Sequence, residues 1–213
     1  MGYLPEALSN YMAFLGWSPK SAEREILSLE EISEIFDLSE INKAGAKFSW
    51  EKLNWINSQY IKNMESIKLS EIMRKYWDDN GWVPPSQEWA YKLAILLRDS
   101  MTLLKDSIDQ SKPFFLIPTI QKEGQDFLEN KESKASLKLI LNYLIQQNPI
   151  KLNKEKAKEI INEISKMHNI KKGILMKSLR VAFFGSLSGP DLIQSWELFA
   201  ESNTDRTRIE RCL

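Results

Sequence analysis

The sequence predicts an all-α protein. Apolar residues recur with the 3.6-residue period of a helix along most of the 213-residue chain. No strand-like alternation lasts for more than a few positions, and no repeat of fixed length is present. Serine, asparagine, proline and glycine stand where the helices would begin and end. Together these observations predict a series of helices joined by short loops.

The first two helices are predicted from their start and stop signals. Pro5 suits the first turn of a helix because its missing N–H would have no partner there, and this helix would end at Gly16. Ser28 and Glu31 have the spacing of a capping box, in which each side chain accepts a hydrogen bond from the other residue's backbone. We therefore expect a second helix to begin directly after Ser28.

Two further serines are placed to cap helices. Ser49 precedes an apolar helical face, and Ser70 precedes another that would end at Asn80 and Gly81. The Pro84-Pro85 pair that follows is the clearest rigid break in the chain.

The middle of the chain continues the helical pattern with one expected interruption. The helix after the proline pair is expected to run to about Lys105, and the apolar segment 113–118, bounded by two prolines, is expected to be extended or irregular. Segments 133–147 and 153–167 are amphipathic and are separated by Asn148-Pro149.

Residues 175–196 predict two helices joined by a tight elbow. Gly185 stands where a helix end favours a left-handed residue, Pro190 suits the first turn of the next helix, and residues 186–189 between them are mostly small. One helical face before the elbow is apolar: it carries Leu175, Leu179, Ala182 and Phe183. A last short helix is expected from about Thr204.

Arg180 is a polar residue in the apolar run before this elbow. An arginine can offer its planar fork to a base edge or to a phosphate. The more ordinary interpretation is a helical hairpin with Arg180 turned to solvent, and the residues alone leave both interpretations open.

Composition limits the class of protein. The chain is 43% hydrophobic, which is enough for a sizeable core, and it has no apolar run near the roughly 20 residues that span a bilayer. Its single cysteine, Cys212, excludes an intramolecular disulfide and favours a reducing compartment. No basic signal-peptide segment follows Met1, so we expect a cytoplasmic protein with no membrane partner.

Charge is balanced overall but unevenly distributed. The net charge is −5 over residues 1–110 and +5 over residues 111–213, and residues 131–180 hold 12 basic and 4 acidic side chains. A basic segment in a neutral chain indicates a local anionic partner such as RNA. A lysine-rich solvated surface is the alternative.

The residues of a catalytic or metal site are absent from the sequence. One histidine, His168, and one cysteine cannot build a metal centre, and we expect His168 to be a surface residue near the end of a helix. No nucleophile elbow, phosphate-binding loop or dinucleotide-binding motif occurs. Four tryptophans are expected in the core because they fall on apolar helical faces: Trp55, Trp77, Trp89 and Trp196. These observations indicate a binding module or part of a larger protein, with no catalytic and no metal-binding residue.

Both ends of the chain resemble bacterial-type glutamyl-tRNA synthetase. The opening carries Gly-Tyr-Leu-Pro-Glu-Ala-Leu over residues 2–8 and Leu-Gly-Trp-Ser over residues 15–18. Further matches in the family's order are Asn10-Tyr11, Lys52–Asn57, Gln59–Ile61, Leu179–Ala182, Gly185–Leu187, Gly189-Pro190 and Arg208–Leu213. Residues 65–175 match mostly in helical pattern.

The resemblance implies a division into three parts. Residues 1–66 would form a multi-helix stem-contact domain, followed by a two-part helical anticodon-binding region at 67–130 and 131–213. The family's His-x-Gly-His-like and Lys-Met-Ser-Lys-like motifs do not occur, so we expect the C-terminal portion of a glutamate–tRNA ligase, inactive by itself. The parent enzyme would use ATP and magnesium, and we expect this portion to hold no cofactor.

The resemblance also implies binding residues at the elbow. Arg180 matches an arginine that contacts the anticodon, and Gly189, Pro190 and Leu192 match residues that shape the pocket for its bases. Relatives often carry threonine at position 189, so backbone contacts would replace hydroxyl contacts there. Nearby lysines are expected to contact the tRNA backbone: Lys171, Lys172 and Lys177.

A last implied site concerns the choice of tRNA. Family members that charge only glutamate tRNA tend to carry an arginine at the position matching Ser100, which distinguishes the first anticodon base. Serine is too short to do this, so the parent enzyme is predicted to accept glutamine tRNA as well, unless Arg98 takes over the role. The expected partner is thus glutamate tRNA, and also glutamine tRNA, bound by a monomer.

Two other functions remain open from the residues. The chain could be a free-standing helical scaffold that binds proteins through an apolar groove, or a general RNA-binding helical module without anticodon preference.

Overall fold

Twelve α-helices follow one another in the part of the chain that the computed structural model describes, which is residues 2–19, 24–42, 45–147 and 151–213. They are α1 (Pro5–Gly16), α2 (Leu29–Ile35), α3 (Trp50–Asn63), α4 (Ser66–Asp79), α5 (Gln87–Arg98), α6 (Asp106–Phe115), α7 (Lys122–Leu128), α8 (Lys131–Gln146), α9 (Lys154–His168), α10 (Lys172–Phe184), α11 (Leu192–Glu201) and α12 (Asp205–Glu210). A short 3-10 turn covers Leu38–Glu40, and the described residues contain no strand beyond the isolated bridge between Trp17 and Ile41. The all-α prediction is confirmed.

The local signals for several helix ends are confirmed. α1 carries Pro5 in its first turn and ends at Gly16. The capping box at the start of α2 is complete, with both Ser28 and Glu31 side chains bonded. Ser49 caps α3, because its side chain accepts a hydrogen bond from the backbone of Lys52.

Two of the predicted helix boundaries in this part of the chain are wrong. Ser70 lies inside α4, which begins at Ser66. α5 ends at Arg98 rather than near Lys105, because the Asp106 carboxylate accepts the backbone N–H groups of residues 102 and 103 and starts a new helix there.

The segment expected to be extended is also partly helical. Phe114 and Phe115 belong to α6, which contains Pro113. Phe114 is buried and stacks on Phe199, with ring centroids 5.0 Å apart. This aromatic packing offsets the backbone hydrogen bond that the proline removes.

The chain divides into two compact units: Met1–Asn80 with Leu97–Asp109, and Gly81–Leu96 with Gln110–Leu213. The three-part division at residues 66 and 130 stays a prediction. The separator Asn148-Pro149 lies outside the described residues.

The first unit is held by neutral polar groups inside an apolar core. Asn57 is fully buried: its Oδ1 accepts the N–H of Leu4 at 2.8 Å, and its Nδ2 donates to the carbonyl of Thr102 at 2.6 Å. The buried Oδ1 of Asn10 accepts the N–H of Leu27 at 3.2 Å.

The prediction that Trp55 lies in the core is wrong, because its side chain is 45% exposed and α3 buries other residues instead.

The second unit has an aromatic core. Phe183 packs on Phe199 with ring centroids 4.9 Å apart, and the indole N–H of Trp89 donates to the carbonyl of Leu198 at 2.8 Å. Trp89 and Trp196 are buried in this unit, and Trp77 is buried in the first unit. Three of the four predicted core tryptophans are thus confirmed. Among the described residues no helix is long and apolar enough to cross a membrane.

Candidate nucleic-acid interface

The elbow between α10 and α11 is shaped by Gly185. Its φ of 72° is left-handed, and its N–H donates to the carbonyl of Val181 at 2.8 Å. A Cβ at this position would lie 2.3 Å from the carbonyl oxygen of Thr119, and the glycine carbonyl accepts the N–H of Gln121 at 2.7 Å. Glycine is therefore required here for both its backbone conformation and the close approach of segment 119–121.

The tip of the elbow is held by short polar contacts. The Ser186 hydroxyl donates to the carbonyl of Ser188 at 2.8 Å. The carboxylate of Glu123, in the first turn of α7, accepts the N–H of Leu187 at 3.2 Å. Ser188 and Gly189 are exposed, so the tip presents backbone to solvent.

Arg180 is bonded to the elbow itself. Its Nη1 donates to the carbonyl of Gly189 at 2.8 Å and to that of Pro190 at 2.9 Å. Burial lowers the pKa of this half-buried guanidinium, and the charge of Asp191 opposes that shift. The interpretation with Arg180 turned to solvent is thus wrong in its geometry, because the arginine bridges the two arms of the hairpin.

Half of this guanidinium fork is still available. Within the described residues, Nε and Nη2 of Arg180 form no hydrogen bond, while Nη1 is used twice. The bonded half fixes the plane of the group, which reduces the side-chain entropy that a ligand would have to overcome. A fixed plane with three remaining N–H donors, on Nε and Nη2, matches what a base edge or a phosphate requires.

The start of α11 departs from the prediction. Pro190 does not lie in its first turn, because α11 begins at Leu192 with Asp191 as the N-cap. The Asp191 carboxylate accepts the N–H of Gln194 at 2.8 Å. Sequence reasoning missed this cap, although an aspartate three residues before a glutamine is a usual helix-start signal.

Leu192 and Gly189, two of the predicted pocket residues, have different surroundings. Leu192 is 1% exposed, so its side chain lies in the core and is closed to a ligand. A Cβ on Gly189, whose φ is 148°, would lie 3.0 Å from the ring of Phe184. A side chain at 189 would therefore have to displace an aromatic ring.

The three predicted backbone-contacting lysines are exposed on the same helix. Lys171 is the N-cap of α10, Lys172 is its first residue, and Lys177 precedes Arg180 by three positions on a shared face. None of them forms an ion pair within the part of the chain that the structure describes. Exposed lysines without a carboxylate partner are suited to contact phosphates.

Ser100 and Arg98 lie in the first unit, whereas the elbow and the lysines belong to the second. Ser100 is exposed just after α5, and its hydroxyl donates to the carbonyl of Leu97 at 2.7 Å. Arg98 is half-buried, and its Nη2 donates to the hydroxyl of Ser66. The roles of both residues in choosing a tRNA stay predictions.

His168 is exposed as the last residue of α9, as predicted. Over the described ranges, no group of three or more histidine, cysteine, aspartate or glutamate side chains could hold a metal ion.

Comparison with known proteins gives the following matches. Residues 68–213 match the family model of the anticodon binding domain, and residues 1–55 match that of the catalytic domain of class I tRNA synthetases (E and Q). The chain is 92% identical over 213 residues to a glutamate–tRNA ligase of Prochlorococcus marinus strain AS9601, and 46% identical to that of strain NATL2A. All of this chain is covered in both cases, but it spans only 45% of each relative.

Solved structures agree with the fold. A glutamate tRNA ligase from Elizabethkingia meningosepticum, crystallised in complex with its amino acid, superposes with a TM-score of 0.91 at 31% identity. A glutamate–tRNA synthetase from Elizabethkingia anophelis gives a TM-score of 0.87 at 32% identity. Each covers 99% of this chain and 41% of the larger protein.

Proposed function

This chain belongs to the anticodon binding domain family, and on that premise we propose that it binds glutamate tRNA and reads the anticodon. The observation that carries the proposal is the half-used fork of Arg180 beside an exposed elbow, in the region that matches the family. Sequence-specific RNA recognition reads unstacked loop bases by hydrogen bonds to their edges, and this fork supplies such donors. The lysines of α10 would hold the neighbouring phosphates.

The activity of the whole protein follows as part of the proposal. The relatives bear the name glutamate–tRNA ligase, and this chain spans 45% of their length. We propose that the whole protein attaches glutamate to tRNA with ATP and magnesium in the cytoplasm. This chain lacks both nucleotide-binding motifs of the family, so it should give no glutamate-stimulated exchange between ATP and pyrophosphate. Exchange by the purified chain would contradict that expectation, and the full-length relative is the positive control.

Titration with labelled tRNA transcripts tests the binding function. The transcripts are glutamate tRNA, glutamine tRNA and one unrelated tRNA, each measured at two salt concentrations. We expect tight, salt-dependent binding of the first and weaker binding of the unrelated tRNA, because phosphate contacts supply affinity and base contacts supply preference. Equal affinity for all three would favour a general RNA-binding module. No salt-dependent binding at all would favour a protein-interaction scaffold.

Recognition of the first anticodon base is proposed to be relaxed. An arginine at position 100 would supply a charged fork that the serine cannot, and losing such a contact removes discrimination of about 1–3 kcal/mol. We therefore propose that glutamine tRNA is accepted too, in a pathway where glutamate is loaded first and amidated afterwards. A preference for glutamate tRNA that appears only in Ser100→Arg would support this. A strong preference in the unchanged chain would reject it and would point to Arg98.

A further inference from the structure

Arg208 of α12 and Arg211, the C-cap of that helix, contact the end of α10 just before the elbow. Nη1 of Arg208 donates to the carbonyl of Phe183 at 3.1 Å, and Nη2 of Arg211 donates to the carbonyl of Ala182 at 3.1 Å. Carbonyls in the last turn of a helix have no partner further along the helix, and they carry its negative dipole end. The two guanidinium groups therefore cap the C-terminal end of α10, at the point where the chain turns.

The same two arginines also bind the segment that packs against the elbow. Nη2 of Arg208 donates to the carbonyl of Leu116 at 3.4 Å, and Nη1 of Arg211 donates to the carbonyl of Pro118. That segment continues into the close contact with Gly185 and the hydrogen bond to its carbonyl. Each arginine thus joins the end of α10 to segment 116–118.

Packing and hydrogen bonds fix the side chain of Arg208. Arg208 is 1% exposed, its guanidinium carbon lies 4.2 Å from the centre of the Phe199 ring, and its Nε donates to the Thr204 hydroxyl at 3.3 Å. Burial lowers the pKa of Arg208 to about 10, so it remains charged at neutral pH. Over the described residues, neither arginine forms an ion pair with a carboxylate.

We infer that Arg208 and Arg211 are positioning residues for anticodon recognition, holding the elbow and the Arg180 fork in the geometry that reads a base. The inference rests on the proposed function. A site that distinguishes one base from another must be held within a fraction of an ångström. Loosening its support therefore lowers the preference for the correct anticodon before it lowers the overall affinity for tRNA. Neither arginine needs to touch RNA for this effect.

Arg211→Gln is the test, and Arg206→Gln is its matched control. Arg206 lies in α12, which Arg211 directly follows as the C-cap, and it also donates to a backbone carbonyl, that of Leu144 at 2.9 Å in α8. Both variants remove one guanidinium from the C-terminal residues, but Arg211 binds α10 and segment 116–118, whereas Arg206 binds α8. The measurement is the dissociation constant of each transcript with one anticodon nucleotide replaced, divided by that of the glutamate tRNA transcript, so that a larger ratio means a stronger preference.

Arg211→Gln is expected to lower the largest of these ratios by about tenfold, and Arg206→Gln to leave them within about twofold. The salt dependence of binding should be the same in both variants, because no phosphate contact has been removed. Melting temperatures measured alongside separate a loss of stability from a loss of preference. Arg211→Lys keeps the charge but loses the fork, and it should lose preference as well, which provides a second folded variant.

The outcomes separate the two proposals. If the unchanged chain does not distinguish the transcripts, the proposed function fails and the positioning role fails with it. If the unchanged chain distinguishes them and both Arg211 variants do so equally well, only the positioning role is overturned. An equal loss in Arg206→Gln would also overturn it, because the effect would then be one of general stability.

Discussion

The two compact units differ in the polar groups that they bury. In the first unit these groups are neutral: the amides of Asn10 and Asn57 and the half-buried phenol of Tyr60, whose hydroxyl donates to the carbonyl of Leu27 at 2.6 Å. In the second unit they include charged guanidiniums, above all Arg208. Both kinds bind backbone groups that lie far away along the chain.

This difference matters because the two kinds of buried group carry different energetic costs. An amide supplies a donor and an acceptor without a charge, so it is the less costly way to join distant backbone segments. Burying a guanidinium costs more and is tolerated when helix-end carbonyls receive its donors. The charged groups lie around the candidate elbow, whereas the neutral ones join distant backbone segments of the first unit.

The largest effect is expected from the neutral network. Asn57→Leu leaves the N–H of Leu4 and the carbonyl of Thr102 buried without their partner. The free energy of unfolding should fall by about 3–5 kcal/mol, measured by urea denaturation with circular dichroism. Asn63→Leu, on the exposed end of the same helix, should change it by less than about 0.5 kcal/mol. Equal effects would show that the amide network does not hold the first unit.

The next largest effect is expected at Gly185, the C-cap of α10, and Gly173 inside that helix is its control. Gly185→Ala should destabilise the protein by about 2–3 kcal/mol, because φ is 72° and the new Cβ would meet the Thr119 carbonyl at 2.3 Å. Gly173→Ala meets no atom within 4 Å and should be neutral or stabilise by up to about 1 kcal/mol. Thermal unfolding of both variants measures this. A stable Gly185→Ala would mean that segment 119–121 can move away from the elbow.

Arg180→Ala tests the charged region directly. It should weaken binding of glutamate tRNA by about 1–3 kcal/mol, because it removes the remaining donors on Nε and Nη2 as well as the bonds to the Gly189 and Pro190 carbonyls. Lys172→Ala should weaken all tRNAs alike and reduce the salt slope by about one unit. The checks are titrations at several salt concentrations. Unchanged binding by a folded Arg180→Ala would leave the elbow a purely structural hairpin.

The smallest effect belongs to a charged group at the surface of the second unit. Lys92 bonds Glu201 at 2.6 Å and Glu197 at 3.3 Å, and these hydrogen bonds raise its pKa above the ordinary value. Lys92→Met should cost about 0.5–1 kcal/mol, less at high salt, since the side chain is one-third exposed. Lys138→Met, on an exposed face without an ion pair in the described residues, is the control.

The sign of the pH effect at Lys92 follows from its raised pKa. A cation that is favoured in the fold stabilises it fully below the unfolded pKa of about 10.4, and this contribution is lost as pH rises through the folded value. The difference between the unchanged chain and Lys92→Met should therefore be constant from about pH 6 to 9 and shrink only above about pH 10. A difference that changes near neutral pH would contradict the assignment.

The sequence by itself determined what depends on one turn of chain. Pro5 at the start of α1, the capping box of Ser28 and Glu31, and left-handed Gly185 were all predicted and confirmed. Each depends on a residue's own backbone conformation or on a contact with backbone no more than four positions away. Such contacts are encoded in residue type and spacing, so they can be recognised without the fold.

The tertiary structure decided every feature that joins distant residues. The helical state of Phe114 depends on a ring 85 positions later, and the orientation of Arg180 depends on carbonyls across the elbow. Arg208 and Arg211 could not be identified as supports, because their partners at residues 116–118 lie about 90 positions away. Their burial follows from packing between helices, and local spacing carries no information about that packing.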